Sequence, residues 1–127
     1  MKVVCVEPDK AAYEMEMPNS LEALQKAVGG YIQAVYPWED EAALICNEEG
    51  KLEGMTPNRA LRDEEGEVYD IVHGTFLIVG LTEEDFGSLT DEQVKKYIEM
   101  YYTPELFLNF NGKYVVIPAI RRKKVKE

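Results

Sequence analysis

The sequence predicts one mixed α+β domain: a mostly antiparallel sheet, or a partly closed barrel of short strands, packed against two principal helices. Three observations predict it. Runs rich in β-branched and aromatic residues recur at hairpin-scale spacing. Two stretches, 20–28 and 91–102, carry apolar residues at helical spacing behind capping residues. A chain of 127 residues, 46% of them apolar, suffices for one core and is too short for several domains. Residues 1–120 are read as that domain and 121–127 as a basic C-terminal tail.

The elements follow in order. Residues 2–7 are β-branched and apolar, a buried first strand. Pro8-Asp9-Lys10 is a turn. Residues 11–17 alternate, with Tyr13, Met15 and Met17 on one face and Glu14 and Glu16 on the other, as a half-exposed strand does. Asn19 is the expected N-cap of the first helix, with Glu22 three residues on and Gly29-Gly30 as its stop. Tyr31 to Tyr36 and Ala42 to Cys46 read as strands around an acidic loop, Pro37 to Glu41. Asn47 to Gly50 reads as a hairpin turn answered by a short strand, Lys51 to Met55. Thr56 to Arg62 has no period and reads as an ordered loop or a helical turn. Asp63 to Gly66 is a turn, and Glu67 to Ile71 and Gly74 to Leu81 are strands, the second buried on both faces. Thr90 and Gln93 form a capping box for the second helix, with Leu89 placed to staple onto Val94. Thr103-Pro104 ends it. Glu105 to Phe110 is a further helical turn or a strand. Asn111-Gly112 is a hairpin signal before a last strand, Lys113 to Ile120, whose Pro118 places it on a sheet edge.

Several of these blocks resemble one family. Ser20 to Gln25 with Val28 to Tyr31, Asn47 to Leu52, Pro57 to Asp63, Gly74 to Gly80, and Phe86 with Ser88 to Thr90 stand in the order found in the uncharacterised family called domain of unknown function 3846. The resemblance covers roughly residues 2–100. The family is similar to sequences carried by phages, conjugative elements and gut Firmicutes, which implies a cytoplasmic, mobile-element setting. It implies no activity, because the family has no assigned catalytic residue to carry over.

Charge and chemistry narrow the functions. The chain carries a net charge of −10, unevenly spread: residues 1–120 balance at −14 and residues 121–127 at +4. Such a body repels nucleic acid, leaving only the tail to bind it. No run is long and apolar enough for a membrane helix, and the N-terminal run is too short for a secretory signal. Cys5 and Cys46 lie far apart in apolar runs, as buried thiols in a reducing cytoplasm rather than zinc ligands. Asp63 to Glu67 lacks the spacing of a calcium loop. His73 is the only histidine, so no two-histidine metal motif exists. No nucleophile elbow or phosphate-binding glycine loop is present, and nothing calls for a cofactor.

The most unusual feature is Asn58-Arg59-Ala60-Leu61-Arg62, which holds the only arginines before the tail. One expectation is an internal salt bridge from Arg59 to Asp63, Glu67 or Asp70. The other is a site for a small anionic ligand formed by Asn58, Arg59, Arg62, Tyr69, Asp70 and His73. The functional expectation is a small non-enzymatic module that binds a protein partner. Its narrower form is an acidic nucleic-acid mimic acting on host defence. The alternative is an enzyme or binder of an anionic small molecule at Arg59 and His73.

Overall fold

Three apolar runs, Val3–Val6, Ala42–Cys46 and Phe76–Val79, are buried at every position. Neighbouring side chains of a strand point to opposite faces, so such runs require cover on both. The structure, a computed structural model that describes residues 1–119, meets that requirement with three layers. Its elements are β1 (Lys2–Val6), β2 (Tyr13–Glu16), α1 (Leu21–Val28), β3 (Ile32–Val35), β4 (Ala42–Asn47) and β5 (Pro57–Arg62). There follow β6 (Val68–His73), β7 (Phe76–Leu81), β8 (Phe86–Gly87), α2 (Asp91–Met100), β9 (Glu105–Phe110) and β10 (Lys113–Pro118).

The central sheet runs β2-β1-β7-β4-β3, antiparallel throughout, with the short β8 also paired to β7. Register sets the layers. Val4, Ile78 and Leu44 stand in one row and Cys5, Leu77 and Ile45 in the next. The first row faces Val94, Tyr97 and Tyr101 of the second helix region, together with Leu61 and Val72. The second faces Leu24 and Val28 of α1. β2 and β3 remain at the rims, so the sheet is open and no closed barrel forms. Two further antiparallel ribbons, β5–β6 and β9–β10, lie outside it. Cys5 and Cys46 are buried and unbonded to each other, and burial pushes both thiols up from their ordinary pKa.

The capping box of Thr90 and Gln93 is present on α2. Four local expectations are corrected. Ser20, not Asn19, caps α1, accepting from the Ala23 amide at 3.1 Å, while Asn19 donates to the Phe86 carbonyl. Lys51 to Met55 is not a strand. Its amides turn back on the chain, Glu53 to the Glu49 carbonyl and Met55 to the Gly50 carbonyl, instead of joining a ladder. Residues 57–62 are a strand, neither loop nor helical turn. The acidic loop is not merely solvated. Asp40 accepts hydrogen bonds from the Tyr97 hydroxyl at 2.5 Å and from Gln93, tying the loop to α2. Those bonds, the Tyr97 hydroxyl first, hold its carboxyl below the ordinary carboxylate range. The basic tail, 121–127, lies outside the described residues.

Candidate functional site

Asn58 and Arg59 sit mid-strand on β5 and are both 1% exposed. Two irregularities in the β5–β6 register flank this stretch, one at Pro57/Arg59 and one at Leu61/Arg62. The Asn58 amide donates to the Val6 carbonyl at 2.9 Å and to the Gly74 carbonyl at 2.8 Å. Its oxygen accepts from Arg59 Nη1 at 2.8 Å.

A guanidinium has five N–H donors, and every one on Arg59 has an acceptor. Nε and Nη2 donate to the Tyr101 carbonyl at 3.2 and 2.8 Å. Nη2 also reaches the Lys10 carbonyl at 2.6 Å, and Nη1 takes the Asn58 carbonyl at 3.2 Å besides its side chain. Tyr101 is the C-cap of α2, where a cation is favoured by the helix dipole. Arg59 thus joins β5, the end of α2 and the turn after β1. Burial pulls its pKa down, opposed by the field of Glu105 and Asp9.

The expected ion pairs of Arg59 with Asp63, Glu67 or Asp70 do not form. Asp63 holds its own turn, accepting from the amides of Glu65 and Glu67. Asp70 pairs with Lys51 at 2.5 Å. The arginine that does meet a carboxylate is Arg62, 2.9 Å from Glu105, whose second oxygen accepts from the Ala60 amide at 2.7 Å.

The structure divides the six expected site residues. Arg59 and Arg62 line a cleft of about 330 Å³ with Trp38, Tyr101 and Glu105. Asp70 and His73 line another, of about 420 Å³, with Asn47 and Lys51. Tyr69 is exposed and borders a shallower hollow with Asp70, His73 and Tyr114. His73 Nδ1 donates to the Met55 carbonyl at 2.9 Å. Asn58 is enclosed between β1 and the residue that precedes β7. Among the described residues every buried polar side-chain atom has a partner, and no three metal-ligating side chains cluster.

One surface escapes the sequence reasoning entirely. Paired residues of an antiparallel ribbon share a face. On β9–β10 one face holds Phe107 and Val116, both half-buried, with the Tyr114 ring edge-on to Phe107. The other holds Leu106, Leu108, Phe110, Val115 and Ile117, each between 37% and 58% exposed. Lys113 is the one charge on that face. Glu105 anchors the base of the ribbon to β5. The signal in the sequence is that both strands are apolar at successive positions, which demands cover on both faces.

The chain belongs to the family described as Domain of unknown function (DUF3846), whose model matches residues 1–102. No curated protein and no solved structure matches it. The matched segment contains the three layers and the Arg59 linkage. The β9–β10 ribbon follows it.

Proposed function

We propose that this member of a family without an assigned function is a small non-enzymatic interaction module, and that the outer face of β9–β10 is its working surface. The observation that carries this is the strip of five exposed apolar side chains on an ordered ribbon. Exposed apolar surface costs about 25 cal/mol per Å² relative to burial, and a contiguous patch of it marks a contact site. Elsewhere the polar groups that might do chemistry are engaged internally. Arg59 has no free donor, and His73 lines a different cleft. Both facts count against an enzyme or an anion binder built from the pair.

A protein partner suits this surface better than a membrane or nucleic acid. No helix among the described residues is long and apolar enough to cross a membrane, and the −14 balance of residues 1–120 opposes phosphate. The resemblance to sequences of mobile elements supports a cytoplasmic setting there. The same acidic balance supports the narrower form, in which the body stands in for nucleic acid against a host defence protein. Competition with duplex DNA for such a target tests that form.

The module itself is tested by placing a photoreactive amino acid at Leu108, Val115 or, as control, Tyr31, and irradiating cells of the native host. Tyr31 is 74% exposed and lies away from the ribbon. Polypeptide adducts at 108 and 115 well above those at 31 are expected. Equal yields at all three positions would remove the ribbon from the function.

A further inference from the structure

Resting on that reading of the ribbon, we infer that the partner of the exposed face is a second copy of this chain, packed face to face across a two-fold axis. Three observations select this occupant. The first is chemical. The strip Leu106, Leu108, Phe110, Val115 and Ile117 offers shape and apolar area but almost no charge with which to choose a different partner. A two-fold interface needs only a self-complementary patch.

The second is the position of the single charge. Leu108 pairs with Val115 at the middle of the strip, and Lys113 pairs with Phe110 at its tip. A two-fold axis through the Leu108–Val115 pair lays the tip of one ribbon on the Leu106–Ile117 base of the other. The two Lys113 ammonium groups then stand at opposite ends, and no like charges are buried together. Two such ribbon faces stack at about 10 Å, as packed sheets do.

The third is charge complementarity. Residues 1–120 balance at −14, so two bodies repel as they meet. The basic run Arg121 to Lys126 follows β10 in the sequence within three residues of Pro118, and the tail balances at +4. Each copy therefore brings basic side chains to the joint where two acidic bodies approach. The chain's own residues 120–127 cannot cover the strip instead, because Ile120 and Val125 are their only apolar members. An anionic membrane would meet the same repulsion from the body without supplying the matching strip.

The interface is small. Two six-residue strands cover roughly 20 Å by 10 Å, less than the roughly 800 Å² per partner of a standard complex. The dimer is accordingly weak and reversible, with a dissociation constant on the order of micromolar.

Sedimentation equilibrium of the full chain, from about 1 to 100 μM at near-physiological salt, tests it. A monomer–dimer equilibrium is expected in that range. The double variant Leu108→Lys, Val115→Lys should weaken it at least about tenfold, while Tyr31→Lys leaves it unchanged. All three proteins should keep the same far-ultraviolet circular dichroism, since the altered side chains are exposed. A chain that stays monomeric throughout the range, or a double variant that dimerises as tightly, overturns the inference. Pelleting with vesicles of phosphatidylserine and phosphatidylcholine, abolished by the double variant, would assign the face to lipid and equally overturn it. Monomers that still give heterologous adducts from position 108 would sink the second copy and leave the interaction module standing.

Discussion

The molecule carries two antiparallel ribbons of two six-residue strands each outside its central sheet, and they meet opposite fates. In β5–β6 the strand Pro57-Asn58-Arg59-Ala60-Leu61-Arg62 is made of poor strand formers, yet four of its six residues are buried. In β9–β10 the sequence is rich in Leu, Phe, Tyr, Val and Ile, yet most of it faces solvent. Strand propensity therefore says where a ribbon can form and little about where it goes. Side-chain partners decide that. Asn58 and Arg59 find six acceptors across β1, the turn after β1, α2 and their own strand, whereas the outer strip of β9–β10 has only itself.

The largest test of this contrast is Arg59→Ala. It leaves the carbonyls of Tyr101 and Lys10, and the Asn58 oxygen, without a donor in a dry site. Stability should fall by about 3 to 5 kcal/mol, read as a shift in the denaturation midpoint. Arg59→Lys should recover only part, because one ammonium cannot span the guanidinium fork. Leu108→Lys, in protein dilute enough to be monomeric, should change the midpoint by less than about 0.5 kcal/mol. Equal losses for Arg59→Ala and Leu108→Lys would erase the distinction between the ribbons.

Asn58→Ala comes next, at about 2 to 3 kcal/mol. The Val6 and Gly74 carbonyls lose their shared donor and Arg59 loses one acceptor. Because the two residues share a hydrogen bond, the double variant should cost less than the two single losses combined.

A smaller effect comes from the other side of α2, where polar anchoring is exposed to pH. The Asp40 carboxyl is held below its ordinary range, chiefly by the Tyr97 hydroxyl. A depressed folded pKa gives stability that is complete above the unfolded value, about 3.9, and lost as pH falls through the folded one. Asp40→Asn should therefore lower stability at pH 7 by about 1 kcal/mol and flatten the acid limb of the stability curve. An unchanged acid limb in the Asp40→Asn protein would show that the carboxylate anchors nothing.

How much of this the sequence disclosed follows from the same physics. The doubly buried strand at 76–81 was legible because unbroken apolar runs demand two covers, and α2 was legible because its capping box is local. Strand β5 was not, because Pro57, Asn58 and Arg59 are recruited by distant carbonyls that no local pattern encodes. Lys51–Met55 misled because the preceding Asn-Glu-Glu-Gly resembles a hairpin turn, while the chain closes on itself instead. Among the site residues, the importance of Arg59 was legible from its rarity. Its partners were not: nearby carboxylates suggested ion pairs, and the actual acceptors are main-chain oxygens, which every residue possesses. The outer strip of β9–β10 was visible as composition only, since exposure depends on how far the ribbon stands from the body.

The turns of the two ribbons allow the finest comparison, because they pose the same local problem. Gly66 and Gly112 have φ of +84° and +85°, and an added Cβ at either would meet nothing within 4 Å. An alanine at either place suffers the same backbone strain, about 1 kcal/mol for a non-glycine residue in the left-handed region. The consequence for the whole molecule should differ. β5 and β6 are tied into the core through Leu61 and Val72, so the strain of Gly66→Ala cannot relax without global unfolding and should appear in full in the midpoint. The tip of β9–β10 buries little, so it can open locally while the domain stays folded. Gly112→Ala should move the midpoint of monomeric protein by less than about 0.5 kcal/mol, and instead speed hydrogen exchange at the ribbon's own amides. A midpoint shift for Gly112→Ala as large as that for Gly66→Ala would place the ribbon inside the cooperative core, and its exposed strip would then need a structural role before an interactive one.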